Sequence, residues 1–222
     1  MSTELTLDQQ LAIQTAVERL HEEFAGHYNA ATIERVMRSS LDELLKSSTM
    51  TNFVPLLTER FTRDRLHALS RTEGTHTDGK QAVLFLCVEN VDRSQMALGF
   101  FKHYAGEQAI GWSGGSAPAA AVSHVAVEAM AECGIDVSGE FPKPWTDETV
   151  RAADVVITMG CGDTCPIFPG KKYEDWALDD PKGADIEFVR GVRDDIEQRV
   201  LTLLDELGII PNPSIGRAGT AG

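Results

Sequence analysis

The fold of this chain is decided by the stretch Ala82-Val83-Leu84-Phe85-Leu86-Cys87-Val88-Glu89-Asn90-Val91-Asp92-Arg93-Ser94-Gln95-Met96-Ala97, in which an apolar strand is followed by a helix. Five residues separate Cys87 from Arg93, enough for the chain to curl around a phosphate-sized ion. Backbone N–H groups and the positive end of the helix would then face that ion. We therefore predict an oxyanion-binding loop made of Val88, Glu89, Asn90, Val91, Asp92 and Arg93.

The residues at the two ends of this loop carry the chemistry. Inward amides and a helix N-terminus favour the thiolate form of Cys87, which makes it a candidate nucleophile. The planar guanidinium of Arg93 can hold two oxyanion oxygens at once, and the Ser94 hydroxyl can donate a hydrogen bond to the sulfur. The alternative is a buried cysteine that ends a core strand before an ordinary helix. The joint occurrence of strand, cysteine, loop, Arg-Ser and helix favours the oxyanion site.

The composition restricts the partners. The 222 residues carry a formal net charge of -14 without a compensating basic patch, so we expect neither nucleic acid nor an anionic membrane as a partner. There is no leader-like start and no apolar run near the roughly 18 residues needed to span a bilayer. We expect a cytoplasmic protein, in which the four cysteines are reactive rather than structural.

The first 74 residues are predicted to form a separate helical domain. Apolar residues recur at helical spacing in three segments, the first of them after a capping-box pattern at Thr6 and Gln9. The polar stretch 71–80 has two glycines and no apolar periodicity, which is typical of a linker. We therefore predict a small three-helix bundle at 1–74, a second domain at 80–210 and a disordered tail at 211–222.

Beyond the linker, apolar strands alternate with amphipathic helices. Strands are predicted at 82–86, 109–113, 154–158 and around 176–178, and helices at about 94–104, 123–133 and 186–207. This alternation predicts an α/β fold with a parallel sheet flanked by helices. In such sheets ligands bind beyond the carboxyl ends of the strands, which is where Cys87 lies.

Two more cysteines follow the third predicted strand. Cys161 and Cys165 lie in a loop with glycines on both sides of the first, and the loop must fold back for the pair to form a disulfide. Redox chemistry, inert loop cysteines and a zinc site remain alternatives, although no other Cys or His pair completes a zinc ligand set. Cys133 lies near the end of a predicted helix, where core packing is favoured over a redox role.

An acidic pair precedes a proline further along the chain. In Asp179-Asp180-Pro181-Lys182-Gly183 the proline restricts the backbone of Asp180, so that a carboxyl group can be held at a set place. A protonated carboxyl there could give a proton to a leaving oxygen. The alternative is an Asx-type turn in which both aspartates are merely solvated.

These motifs, in this order, make residues 82 to about 207 resemble the arsenate reductases built on the low-molecular-weight tyrosine phosphatase fold. The resemblance covers Cys87 to Ala97, the strand 154–158, Cys161, Cys165-Pro166-Ile167 and the stretch 176–183. It implies a four-stranded parallel sheet flanked by helices. It also implies that Cys87 is the nucleophile, Arg93 the oxyanion clamp, Ser94 a donor to the thiolate, Asp180 the general acid and Asn90 a brace of the loop. The helices before residue 75 look like a three-helix extension of some actinobacterial members.

The resemblance also implies a mechanism. Cys87 attacks arsenate, Cys161 attacks the resulting adduct and releases arsenite, and Cys165 moves the disulfide into the 161–165 loop for reduction by thioredoxin. No bound cofactor and no metal are expected, and the external reductant is thioredoxin or, if Cys87 acts alone, mycothiol. The alternatives are a tyrosine phosphatase that uses the same loop and acid, and an arsenic- or thiol-sensing module.

Two loop residues differ from the neutral ones that the commoner members of that family carry. A carboxylate at Asp92 that points toward the sulfur would oppose ionisation of Cys87, whereas one that points away would have little effect. Glu89 raises the same question. The direction of the Asp92 side chain is left open by the sequence.

Overall fold

The computed structural model describes residues 5–47, 53–74, 79–160 and 167–213. In chain order its elements are the helices α1 (Leu7–Glu23), α2 (Ala30–Ser47) and α3 (Val54–Thr72), strand β1 (Gln81–Cys87), helix α4 (Arg93–Ala105), strand β2 (Ala109–Gly115), helices α5 (His124–Glu132) and α6 (Asp147–Ala152), strands β3 (Val155–Met159) and β4 (Lys172–Asp175), and helix α7 (Ile186–Glu206).

The chain divides into two compact units. The helical unit comprises 1–78 and 146–152, and the sheet unit comprises 79–145 and 153–222. Helix α6 belongs to the helical unit although it lies between two strands in the sequence. The domain boundaries drawn from the sequence, at 74, 80 and 210, stay a prediction.

The helical unit forms around one apolar core, as the sequence pattern predicts. Thr6 is the N-cap of helix α1: its hydroxyl accepts from the Gln9 backbone N–H while the Gln9 side chain accepts from the Thr6 N–H, the predicted capping box. The seven core residues come from the three helices and from the residue that follows α1: Ala16, Leu20, Phe24, Ile33, Val36, Met37 and Leu66. The bundle therefore buries the apolar stripe of each helix against the other two.

The sheet unit contains a four-stranded parallel sheet with the order β2-β1-β3-β4, which confirms the predicted fold. Strand β1 is an inner strand of the sheet, and its residues from Ala82 to Cys87 are buried without a break. Cys87, its last residue, pairs with Gly115 of β2 and Met159 of β3. The nucleophile candidate thus lies at the carboxyl edge of the middle of the sheet.

The sequence pattern predicts the fourth strand around 176–178, which is too far along the chain. The strand covers Lys172–Asp175, and Trp176 donates only a last ladder hydrogen bond, from its N–H to the Thr158 carbonyl at 2.8 Å. The apolar residues that suggested a strand at 176–178 serve the core instead: Trp176 is buried and its ring centroid lies 5.9 Å from that of Phe85.

The first residues of the predicted tail are bonded to the sheet unit. The backbone N–H of Asn212 donates to the Tyr104 carbonyl at 2.8 Å, and its side-chain amide donates to the His103 carbonyl at 3.2 Å. Two partners on α4 therefore hold the chain as far as Asn212, and residues 214–222 lie outside the described ranges.

None of the helices in the described ranges is long and apolar enough to cross a bilayer.

Candidate active site

A cavity of about 290 Å³ opens at the carboxyl edge of β1. The residues that line it come from the β1–α4 loop, the end of β3 and the loop before α7: Cys87, Val88, Glu89, Val91, Asp92, Arg93, Gly160, Asp180 and Lys182. We call this cavity the oxyanion pocket. Cys87 lies in it with only 3 % of its surface exposed, so its sulfur can be approached only through the pocket.

The loop from Cys87 to Arg93 is held with its carbonyl groups turned outward. Three carbonyls accept hydrogen bonds from the segment after β2: Ala117 N–H donates to Val88 O at 2.9 Å, Ala119 N–H to Glu89 O at 3.1 Å, and Ser123 N–H to Val91 O at 3.2 Å. Because N–H and C=O point in opposite directions across a trans peptide, the next amide in each case points inward. One of these amides, that of Asn90, donates to Cys87 Sγ at 3.3 Å.

A chain of hydrogen bonds fixes the direction of the Ser94 hydroxyl. The backbone N–H of Lys143 can only donate, and it meets one end of the Asn90 amide at 3.0 Å, so that end is the oxygen Oδ1. The other end is therefore Nδ2, which donates to Ser94 Oγ at 2.8 Å. The Ser94 proton is then free to point at Cys87 Sγ, 2.9 Å away. Ser94 is consequently able to donate to the sulfur, and it is the donor whenever Cys87 is a thiolate, which has no proton to give.

Asn90 adopts a backbone conformation that few side chains tolerate. Its φ is 54°, and it is the one non-glycine residue with positive φ in the described part of the chain. The Gln95 side-chain amide, on α4, braces it by donating to the Asn90 carbonyl at 3.0 Å and to the Phe141 carbonyl at 3.1 Å.

A Cβ on Gly115 would lie 2.6 Å from the Val88 carbonyl oxygen, so the loop and β2 can approach each other only because glycine is there.

Arg93 and Asp180 face each other across the oxyanion pocket. Arg93 Nη2 lies 3.4 Å from Asp180 Oδ1; the Arg93 side chain is largely buried and the Asp180 side chain is 61 % exposed. Asp180 also accepts from the Lys182 backbone N–H at 3.3 Å, an Asx-type contact. Asp180 thus makes an Asx-type contact and also lines the pocket, and its role as a general acid stays a prediction. Asp179 is exposed and is not among the lining residues.

The Asp92 side chain lines the pocket, but its carboxylate is bonded to Ser123, the N-cap residue of α5. Asp92 precedes α4, and its carboxylate accepts a hydrogen bond from the Ser123 hydroxyl instead of capping that helix. Burial raises the pKa of the Asp92 carboxyl above its ordinary value, and the carboxylates of Asp180 and Glu89 act in the same direction. The Ser123 hydrogen bond and the charge of Arg93 oppose this rise.

Lys182 is a pocket residue that sequence reasoning missed. Its ammonium lies 2.6 Å from Glu89 Oε1, and this ion pair joins the oxyanion loop to the loop of Asp180. The hydrogen bond that the Lys182 ammonium donates to the Glu89 carboxylate raises the pKa of Lys182. The only signal in the sequence was the position of Lys182 two residues after Asp180, which does not reveal the pairing with Glu89.

The structure thus brings together Cys87, Arg93, Ser94, Asp180 and the loop 88–92, whose roles stay predictions. Cys161 and Cys165 lie outside the described residues. Cys133 is buried in the main core, as its helical position suggests. Within the described ranges, no group of three or more His, Cys, Asp or Glu side chains could hold a metal ion.

Comparisons with known proteins agree with this geometry. Residues 82–209 match the family "Low molecular weight phosphotyrosine protein phosphatase", and 13–70 match "Protein-tyrosine-phosphatase-like, N-terminal domain". The solved structure of the thioredoxin-dependent arsenate reductase Cg_ArsC1' of Corynebacterium glutamicum is similar over 90 % of this chain and 98 % of its own, with a TM-score of 0.82 and 37 % identity. An arsenate reductase of Halalkalibacterium halodurans is 39 % identical over 136 residues, which are 57 % of this chain and 96 % of the relative. A glutaredoxin arsenate reductase of Synechocystis is 37 % identical over 129 residues, 56 % of this chain and 97 % of the relative. The chain therefore belongs to the low molecular weight phosphotyrosine protein phosphatase family.

Proposed function

We propose that this protein is an arsenate reductase that works through Cys87 and a thiol relay with Cys161 and Cys165. The observation that carries the proposal is the position of the Cys87 sulfur, which accepts from the Asn90 N–H, lies 2.9 Å from the Ser94 hydroxyl and shares its pocket with Arg93 and Asp180. Arsenate is a tetrahedral oxyanion of the size that such a loop binds.

The proposed reaction begins with attack of the Cys87 thiolate on arsenic. One oxygen leaves as water after taking a proton from Asp180, and a sulfur–arsenic bond forms. The Cys161 thiolate then attacks the Cys87 sulfur, and the electrons of the sulfur–arsenic bond pass to arsenic. Arsenic(V) becomes arsenite, and two thiols become the Cys87–Cys161 disulfide. Attack of Cys165 on Cys161 frees Cys87 and leaves a 161–165 disulfide.

Two observations support a resolving thiol at Cys161. Gly160 lines the oxyanion pocket, and a Cβ on it would lie 3.1 Å from Arg93 Nη1. Cys161 is the next residue in the chain.

We propose thioredoxin as the donor that reduces the final disulfide, in line with the name of the Corynebacterium relative. The proposed substrate is arsenate, and the proposed compartment is the cytoplasm, in which these thiols stay reduced.

The decisive experiment measures arsenite release with purified protein, arsenate and either of two reducing systems. One contains thioredoxin, thioredoxin reductase and NADPH, and the other contains mycothiol with a glutaredoxin-like relay protein. The variants are Cys87→Ser, Cys161→Ser and Cys165→Ser, and Cys133→Ala is the matched control because Cys133 is a buried core residue.

We expect Cys87→Ser to be inactive with both donors, and both loop variants to lose thioredoxin-linked turnover while Cys133→Ala keeps it. Full thioredoxin-linked activity in either loop variant would refute the relay. Retained activity with mycothiol alone would indicate that Cys87 acts singly. Steady hydrolysis of an aryl phosphate without any thiol, and without arsenite release, would make the protein a phosphatase.

A further inference from the structure

The ion pair between Lys182 and Glu89 has no role in the proposed chemistry, although both residues line the oxyanion pocket. The two residues are 93 positions apart in the sequence, and their 2.6 Å contact connects the loop that holds the anion to the loop that holds Asp180. The Lys182 side chain is 65 % exposed and that of Glu89 is 31 % exposed. The pair therefore stands at the mouth of the pocket.

The charges around the pocket make Lys182 important for anion binding. Three carboxyl groups, Glu89, Asp92 and Asp180, share the lining with two cations, Arg93 and Lys182. Arg93 faces Asp180, and Lys182 faces Glu89. Without Lys182, one guanidinium would have to offset three carboxyl groups and the Cys87 thiolate before any anion could bind. Lys182 thus offsets the carboxylate that the loop itself brings to the mouth.

The same pair would disfavour a bulky apolar substituent. A free oxyanion ends within the loop, but the aromatic group of an aryl phosphate must extend out through the mouth. There it would lie against Lys182 and Glu89 and remove water from a charged pair, which costs free energy. No such cost arises for a free inorganic ion.

We infer that Lys182 is a specificity-determining residue, which together with Glu89 walls the pocket mouth and selects free inorganic oxyanions over aryl phosphate esters. This inference rests on the proposed function for its substrate, arsenate. Lys182 acts on binding and selection, while the proton donor and the nucleophile remain Asp180 and Cys87.

The test compares Lys182→Met and Glu89→Gln with the wild-type protein. Lys182→Met keeps the length of the side chain and removes its charge. The matched control is Lys102→Met, which removes another lysine from a short ion pair, 2.8 Å to Glu140, that does not line the pocket. For each protein, KM and kcat are measured for arsenate reduction, and kcat/KM for hydrolysis of p-nitrophenyl phosphate.

We expect Lys182→Met to raise the KM for arsenate about tenfold, with kcat changed much less, because the lost charge acts on anion capture. The ratio of aryl phosphate to arsenate kcat/KM should rise about tenfold or more. Glu89→Gln should raise that ratio as well, since it also breaks the pair, and Lys102→Met should leave both quantities at the wild-type level. An unchanged ratio in Lys182→Met overturns the inference.

A binding measurement separates failure of this inference from failure of the proposed function. Titration calorimetry with inorganic phosphate and with phenyl phosphate needs no turnover. If the wild-type protein reduces no arsenate, the proposed function fails, but a Lys182→Met preference shifted toward phenyl phosphate still supports the inference. If arsenate reduction is normal and both affinities change equally, or not at all, the inference alone is wrong.

Discussion

Replacement of Ser94 by alanine tests how the sulfur of Cys87 is activated. The Ser94 hydroxyl lies 2.9 Å from Cys87 Sγ, and the Asn90 amide that donates to its oxygen directs its proton to the sulfur. A hydrogen bond to a charged group contributes about 1.5 to 3 kcal/mol. Ser94→Ala should therefore reduce the thiolate population about 10- to 150-fold at a pH where the thiol is mostly protonated.

The rate of thiol alkylation will fall less than the thiolate population. A thiolate that is less stabilised is also a better nucleophile, and this returns a fraction of about 0.4 to 0.5 of the loss on a logarithmic scale. The full loss of thiolate population is about 1.1 to 2.2 log units, and the fraction of about 0.55 that is not returned gives a loss of roughly 4- to 16-fold in the second-order rate constant. The assay is alkylation of Cys87 by iodoacetamide at the lowest pH at which the protein stays folded, read by peptide mass spectrometry to separate Cys87 from the other thiols.

The matched control is Ser113→Ala in β2. The Ser113 hydroxyl is also buried, but it has no hydrogen-bond partner among the described residues. Its removal deletes the same atom without touching the sulfur, so the alkylation rate of Cys87 should stay within about twofold of the wild type. A rate in Ser94→Ala that matches that of Ser113→Ala would refute the argument that Ser94 donates to the thiolate.

Four other predictions concern the pocket and a helix. Asp180→Asn should lower kcat for arsenate about 10²- to 10⁴-fold, whereas Asp179→Asn should leave it within about twofold; equal losses in steady-state assays would contradict the role of Asp180. Asp92→Asn should raise the thermal midpoint near pH 7, at about 2 to 4 °C per kcal/mol, because the raised pKa of Asp92 makes its ionised form costly in the folded state. That gain should shrink as pH falls through the folded-state pKa and vanish below the pKa of the unfolded chain, so a gain that calorimetry finds independent of pH would count against this cause. Gly115→Ala should cost about 1 to 3 kcal/mol of stability and weaken phosphate binding, since its Cβ would lie 2.6 Å from a carbonyl oxygen of the loop; unchanged phosphate titrations would argue against a crowded loop. Gly191→Ala should stabilise the protein by about 0.5 to 1 kcal/mol in urea unfolding, because Gly191 lies within α7 and its Cβ would meet no described atom within 4 Å; destabilisation would contradict this.

Local signals in the sequence were sufficient for the fold and for the base of the pocket. Apolar periodicity identified the bundle and three of the four strands, because each signal extends over enough residues to be read without knowledge of the neighbours. The spacing of Cys87 and Arg93 placed the loop correctly, since a strand, a short loop and a helix start restrict one another along the chain. Helix α6 was missed because its six residues show too little periodicity.

The contacts that shape the loop are not local, and the sequence could not supply them. Lys143 lies 53 residues from Asn90, yet its backbone N–H determines how the Asn90 amide is turned. Lys182 and Glu89 are farther apart still. The direction of the Asp92 carboxylate depends on where the segment after β2 brings Ser123. Each of these depends on the three-dimensional path of a distant segment, for which periodicity and spacing carry no information.

The partners of the three carboxyl groups around the pocket bear on how the proposed anion site can work in an acidic protein. With a net charge of -14, the protein as a whole repels anions, so attraction must be local. Each carboxyl group has its own partner: Lys182 pairs with Glu89, Arg93 faces Asp180, and the Ser123 hydroxyl donates to Asp92. These contacts act over a few ångströms, where salt screens weakly, while the repulsion from distant surface charges is screened within about 10 Å at 0.1 M salt. In the proposed reaction, the inward amides and the start of α4 are the groups left to stabilise the charge of arsenate beside the Cys87 thiolate.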